Sequence, residues 1–189
     1  MNNQKKVLIL LGSPRKNGNS TILAKKIEEG VKSAGGDPEL IYLHGLNIAP
    51  CNACDACRKN PKKGCVVQDD MIPLYSKIKE ASAIVFASPI YWFCYSAQIT
   101  LVLNRLYAIE DHGNYALTGK NIAVALSYAD VDVFASGGVN ALRIFQDIAR
   151  FTRANIVGMI HGSAEKPGEI TNNEALMQDA INLGKVLAK

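Results

Sequence analysis

No apolar run in this 189-residue chain approaches the roughly 20 residues that cross a bilayer. Val7–Leu11 is also too short for the core of a secretory signal. A soluble, cytoplasmic protein with reduced thiols and no membrane partner is therefore expected. Concentrated charge is lacking too: a net charge of +4, evenly spread, argues against a nucleic-acid surface. Histidines are few. His44, His112 and His161 are scattered without metal spacing, and no Ser-His-Asp arrangement is visible. Repeats, low-complexity tracts and linkers are absent, so residues 1–189 read as one domain.

What the chain does have is cysteine in one place. Cys51, Cys54, Cys57 and Cys65 fall within fifteen residues, in two successive Cys-x-x-Cys steps and one longer gap. Three thiols come within reach of one small object, with a fourth nearby. The ferredoxin-type spacing suits a [4Fe–4S] cluster. A reduced, empty thiol loop is a second reading, because cysteine often acts as a small hydrophobe. Structural zinc is a third, although zinc ligands more often form two separated pairs. Cys94 lies far from the four and reads as a packing residue. Arg58, Lys59, Lys62 and Lys63 share the loop. They read either as a solvated face or as charges that offset thiolates and steer an acidic redox partner.

Strands and helices alternate along the rest. Near-continuous apolar runs at Lys6–Gly12, Ala83–Ser88, Asn121–Ser127 and Asn155–His161 predict strands buried on both faces, with a shorter one at Glu39–Leu43. Pro89 is expected to break the third strand. Helical spacing follows at 23–34, 70–81, 96–107, 142–152 and 176–187. The segment 96–107 is apolar almost all round, which fits deep burial or a subunit contact, and Arg105 is expected to anchor it. Residues 44–69 follow neither period and form a cysteine-rich insertion loop. Asp69-Asp70 reads as a helix start. Glu110 and Asp111 read as a solvated acidic pair at a helix end. Five strands and five helices predict a flavodoxin-like three-layer sandwich: a parallel sheet in the order 2-1-3-4-5 with helices on both faces.

Ligands of such a sheet bind beyond the carboxyl ends of its strands, near the switch point. The loop after the first strand, Gly12-Ser-Pro-Arg-Lys-Asn-Gly-Asn-Ser-Thr21, offers hydroxyls, glycines, two cations and a helix N-terminus. It is neither a Walker loop nor Gly-x-Gly-x-x-Gly, and the second strand ends without an acidic residue for a ribose. These features fit a terminal monophosphate such as that of FMN; the bland alternative is a helix start capped by Ser20. After the third strand, Ser88-Pro-Ile-Tyr-Trp-Phe93 places three aromatics together, a surface on which a flat ring system stacks. The same aromatics would also suit a subunit interface. Ser127, Tyr128 and Asp130 lie at the same edge.

The loop at 12–21 resembles the flavin-phosphate loop of the NADPH-dependent FMN reductase superfamily. Ser88-Pro-Ile-Tyr-Trp92 resembles its isoalloxazine loop. The cysteine run, with Gly64-Cys-Val-Val-Gln-Asp-Asp-Met71, is similar to the iron–sulfur flavoprotein branch. The resemblance covers about the first 110 residues. It implies FMN, a homodimer or homotetramer, and redox chemistry with NAD(P)H as a possible co-substrate. It carries phosphate binding to Ser13, Arg15, Asn19, Ser20 and Thr21, and ring binding to Pro89, Ile90, Tyr91, Trp92 and Phe93. It makes Cys51, Cys54, Cys57 and Cys65 ligands of a [4Fe–4S] cluster, placed beside the phosphate loop. No side chain is singled out as catalytic, because the flavin does the chemistry. A cluster-free NAD(P)H-dependent flavin or quinone reductase, a flavodoxin-like carrier and a zinc-stabilised binding module are the alternatives. The physiological donor and acceptor are small molecules or proteins.

Overall fold

The computed structural model describes residues 4–110 and 113–189, so Asp111 and His112 lie outside the described residues. Its strands are β1 (Lys6–Leu11), β2 (Asp37–Tyr42), β3 (Ala83–Tyr91), β4 (Cys94–Tyr95), β5 (Asn121–Tyr128) and β6 (Asn155–Ser163). Its α-helices are α1 (Asn19–Ser33), α2 (Ala56–Lys59), α3 (Met71–Glu80), α4 (Ala97–Arg105), α5 (Gly138–Thr152) and α6 (Glu174–Leu187).

The parallel sheet runs β2-β1-β3-β5-β6, which is the expected flavodoxin-like order. The expectation of five strands needs one addition. β4 is a two-residue strand that pairs antiparallel with the end of β3, as Ile90↔Tyr95 and Tyr91↔Cys94. The one-turn helix α2, inside the cysteine loop, is likewise additional to the five helices expected.

Pro89 does not end the third strand. It pairs with Ser127 of β5, while β1 has already stopped opposite Ala87. On that side no acceptor of the ladder needs the missing N–H, which is where a strand tolerates proline.

Alternate residues of the strands feed two cores. Val7, Ile9, Leu11, Val85 and Ala125 pack against Leu23 and Ile27 of α1 and Ala180 and Leu183 of α6. Leu8, Leu10, Ile84, Phe86 and Leu126 pack against Ile78 of α3, Ile99 and Val102 of α4, and Phe145 of α5. The helices thus cover both faces of a sheet buried on both sides, which leaves the strand ends as the place for a ligand. The segment 96–107 is buried along one side only, at Ile99, Val102 and Arg105, so it is a helix of one apolar stripe rather than one buried all round.

Candidate functional site

The loops after β1, β3 and β5 meet at one edge, because those strands are neighbours in the sheet. The first loop is drawn tight. Gly12 N–H donates to Ala87 O of β3 (2.8 Å), Arg15 N–H to Ser13 Oγ (3.1 Å), and Gly18 N–H to Arg15 O (3.0 Å). A Cβ on Gly18 would sit 2.7 Å from Ser13 Oγ, so only glycine lets the turn close on that hydroxyl.

Ser13, Ser20 and Thr21 are all buried here, and Arg15 is exposed at the rim. Thr21 Oγ1 donates to Arg15 O (3.2 Å) and steadies the loop. Among the described residues, Ser20 Oγ is buried with no hydrogen-bond partner, as is Ser96 Oγ at the start of α4. Ser20 does not cap α1: the N-cap position is Gly18, and no side chain caps the helix. Leaving a buried hydroxyl unpaired costs about 1–3 kcal/mol. Next to free N–H groups at a helix start, the Ser20 hydroxyl marks a place for an anionic oxygen.

Asn19 is employed elsewhere. Its Nδ2 donates to Ala164 O (3.1 Å) and Lys166 O (3.0 Å), and its Oδ1 accepts from Gly168 N–H (2.9 Å). The side chain ties the start of α1 to the segment after β6 and has no donor left for a phosphate. On the other side, Tyr42 OH donates to Pro14 O (2.5 Å), and Lys16 lies 5.7 Å from the Tyr42 ring centre.

After β3, Trp92 and Phe93 form the two central residues of the β3–β4 hairpin, with φ of 47° and 62°. A two-residue hairpin turn with both φ positive normally takes Asn-Gly. Two aromatics in that conformation are strained, and strain of this kind gathers at functional positions. Trp92 is 92% exposed, with Tyr91 and Phe93 about half exposed. Ile90 is half-buried just behind them, and Pro89 is half-buried at the strand end.

The loop after β5 closes the rim. Gly137 has φ +72°, and a Cβ there would meet Phe93 Cβ at 2.4 Å, so the two loops are packed backbone to side chain. Asn140 Nδ2 adds a bond to Phe93 O (3.4 Å). Ser127 and Tyr128 are both buried. Tyr128 OH lies 3.0 Å from His161 Nδ1. Burial pushes the Tyr128 phenol up, with Asp132 adding to the effect, and burial pushes the His161 imidazole down. Asp130 is exposed, and its carbonyl accepts from Ser163 Oγ (2.5 Å).

Val131 and Phe134, 86% and 73% exposed, add apolar surface on the loop after β5, the loop whose Gly137 packs on Phe93. Sequence reasoning passed over both. Their signal was available, since Asp130-Val-Asp-Val-Phe134 sets large apolar residues in a loop with no helical or strand period.

The cysteines lie elsewhere, not beside the phosphate loop as expected. Cys51, Cys54, Cys57 and Cys65 line one hollow together with Asn104, Arg105, Tyr107 and Ala108, at the far end of α4. The helix begins beside Gly12, where Ser96 packs, and nine residues of rise put the hollow about 13 Å further down.

Ala53 and Asp55 both have positive φ, which folds the Cys-x-x-Cys-x-x-Cys run around the hollow. Cys51 and Cys54 are exposed, whereas Cys57 and Cys65 are half-buried. Burial pushes the Cys57 thiol up; Arg58 opposes this, and Cys65 and Cys51 add to it. Arg58 stacks 3.9 Å over the Tyr107 ring and pairs with Glu110, so that basic residue is committed to structure, as is Glu110. Cys94 sits in β4, away from the hollow.

Arg105 fastens this loop to the core. It is 1% exposed. Its Nη1 donates to Asp69 Oδ2 (2.5 Å) and Ala49 O (2.9 Å), its Nη2 to Asp69 Oδ1 (3.2 Å), and its Nε to Tyr75 OH (3.2 Å). Asp69 in turn accepts from Met71 N–H and Ala49 N–H, both at 3.0 Å. Asp69 is thus both the start signal of α3 and the counter-ion of a buried arginine. The second role does not show in a linear sequence.

Residues 5–165 match the family model for NADPH-dependent FMN reductase. The chain belongs to this family. An iron-sulfur flavoprotein of Methanocaldococcus jannaschii is 29% identical over 195 aligned positions, covering 97% of this chain and 96% of that one. An iron-sulfur flavoprotein of Methanosarcina thermophila is 34% identical over 122 residues, covering 65% of this chain and 62% of the relative. Among solved structures, the Trp repressor binding protein from Bacillus subtilis superposes with a TM-score of 0.69 at 25% identity, covering 95% of this chain and 99% of that one.

For a member of the FMN reductase family, the edge built by the β1, β3 and β5 loops has the groups a flavin mononucleotide asks for: an unpaired buried hydroxyl at a helix start and an apolar aromatic rim. The cysteine hollow has the donor set of a cluster, four thiols and a neighbouring cation. Among the described residues, no three His, Cys, Asp or Glu side chains converge as the ligands of a single ion. A cubane is larger than one ion and spreads its four ligands more widely.

Proposed function

We propose that this chain is an FMN-dependent oxidoreductase that takes electrons from NAD(P)H or a ferredoxin-type donor and passes them to an acceptor. FMN sits at the edge formed by the β1, β3 and β5 loops, and a [4Fe–4S] cluster in the cysteine loop is a second redox centre. The observation that carries the reading is Ser20 Oγ, buried and without a partner at the start of α1.

The flavin, when bound, supplies both two-electron and one-electron transfer. The chain's own groups bind and orient it. Ser13 and Ser20 hydroxyls and the first amides of α1 hold the phosphate, with Arg15 adding charge from the rim. Thr21 and Asn19 assist by fixing the loop around them. Pro89, Ile90, Tyr91, Trp92 and Phe93 present the surface for the ring. Ser127 and Tyr128 close the floor, the latter held by His161.

Cys51, Cys54, Cys57 and Cys65 hold the cluster. Lys59, Lys62 and Lys63, exposed on the same loop, add positive charge near it, while the charge of Arg58 is met by Glu110. No side chain is asked to act as acid or base. The exposed apolar side chains of Trp92, Phe93, Val131 and Phe134 support a homodimer or homotetramer in which a second copy covers some of them. Among the described residues no helix is long and apolar enough to cross a membrane. The free thiols call for a reducing compartment, which favours the cytoplasm.

The two exposed thiols, Cys51 and Cys54, favour a second reading, a cluster-free NAD(P)H-dependent flavin or quinone reductase. Anaerobic purification with an absorption spectrum and iron, sulfide and flavin assays separates the two. Brown protein with iron, sulfide and FMN is expected. Yellow protein that stays iron-free through anaerobic reconstitution supports the second reading. Colourless protein that takes up no FMN contradicts both. NAD(P)H oxidation then distinguishes a reductase from a carrier.

A further inference from the structure

The guanidinium of Arg105 has more acceptors than its ion pair requires. Its Nη2 carries two hydrogens and has three acceptors in reach: Asp69 Oδ1 (3.2 Å), Val67 O (3.4 Å) and Cys65 Sγ (3.4 Å). The rest of the group is immobilised by Tyr75, Ala49 and the other Asp69 oxygen. A permanently charged, buried donor is therefore held in place with one N–H aimed between a carbonyl and a sulfur.

We propose that Arg105 is a positioning residue for the metal centre: it donates a hydrogen bond to the Cys65 sulfur, fixes that ligand, and raises the reduction potential of the cluster. The inference rests on the reading of the cysteine loop as a cluster site.

The physical argument has two steps. A thiol is a weak acceptor, and a metal-bound thiolate is a far stronger one. Once Cys65 ligates, it outcompetes the Val67 carbonyl for the shared hydrogen. A positive donor on a ligand sulfur then stabilises the more negative, reduced cluster, and hydrogen bonds to the sulfurs and local charge are known levers on cluster potential.

The four cysteines are consequently unequal. Cys65 is tied to the core through Arg105, Asp69 and Tyr75, while Cys51 and Cys54 lie on the exposed run. Cys65 is the anchor on which the exposed part of the ligand set closes.

Two measurements test this. The first needs no change at Arg105. Protein carrying guanidino-¹⁵N arginine, with Arg58→Lys to remove the other arginine of the loop, is loaded anaerobically and reduced. Pulsed EPR is expected to show hyperfine coupling between the cluster spin and ¹⁵N. In the second, Arg105→Lys keeps the charge but loses the fork. Its loaded cluster is expected at a more negative potential than wild type, with FMN content and flavin potential unchanged.

A loaded cluster with no ¹⁵N coupling overturns the inference, as does an Arg105→Lys cluster at the wild-type potential. Wild-type protein that takes up no iron removes the cluster reading, and this inference with it. Iron uptake without the coupling removes only the inference.

Discussion

Arg105 of α4 and Asp69 at the head of α3 form a two-pronged ion pair that is almost wholly out of solvent, 1% and 5% exposed at their side chains. Through it, a long irregular loop gains a fixed place on a regular sheet-and-helix body. Both charges are fully hydrogen-bonded, which a buried pair requires if desolvation is not to exceed the attraction.

Breaking the pair from one side is therefore expected to be severe. Asp69→Ala strands a buried guanidinium and should cost about 3–5 kcal/mol in a urea or thermal unfolding experiment. The double change Asp69→Asn with Arg105→Gln, which leaves no charge behind, should cost less than the single one. Equal losses would mean that the pair serves as packing rather than as charge.

The same pair gives a pH dependence. Burial pushes the Asp69 carboxyl up, but the bonds from Arg105, Ala49 and Met71 and the Arg105 charge outweigh it and hold it below the usual carboxylate range. A depressed native pKa contributes stability above the unfolded value, near 4, that is lost as pH falls through the native value. Protease cleavage within residues 50–66 should accelerate in that acidic window. Asp69→Asn should already be cleaved quickly at neutral pH and should lose the pH step.

Trp92 trades stability for position. An exposed aromatic in left-handed backbone costs about 1 kcal/mol or more relative to a residue suited to the turn. Trp92→Asn is expected to raise stability by about 1 kcal/mol in chemical denaturation while weakening FMN binding. Tighter or unchanged FMN binding in that variant would place the ring elsewhere.

Asn19 is a clamp rather than a phosphate ligand. Asn19→Ala removes its bonds to the 164–170 segment and is expected to cost about 2–3 kcal/mol of stability, at roughly 1 kcal/mol per bond. Below the unfolding transition, FMN affinity should change much less than in Ser20 variants. A loss of affinity equal to theirs, with stability intact, would return Asn19 to the phosphate.

Much of the fold was legible because buried parallel strands are short apolar runs and the helices between them keep one period. Lys6–Leu11 and Asn121–Tyr128 announce themselves in that way. β4 does not, because its turn is Trp-Phe rather than Asn-Gly, and a strained turn leaves no propensity signal. Pro89 misled because its tolerance depends on where β1 stops, a property of the neighbouring strand.

The site was legible in part for similar reasons. Ser13, Ser20 and the aromatic loop sit where a strand-end rule puts ligands. Asn19 stands among them in sequence, yet turns to a segment some 145 positions away. The Cys65–Arg105 contact and the position of the hollow along α4 are products of packing, and nothing in the spacing of the cysteines encodes them.

The proposed cofactor site turns on the flavin phosphate at Ser20. Its most direct test is a fluorescence titration of apoprotein with FMN, wild type against Ser20→Asp, with circular dichroism as the check on folding. The wild type is expected to bind one flavin per chain. A carboxylate at position 20 should abolish binding with the fold intact, through like-charge repulsion in a buried loop. Full FMN binding by a folded Ser20→Asp protein would rule out a phosphate seated on Ser20.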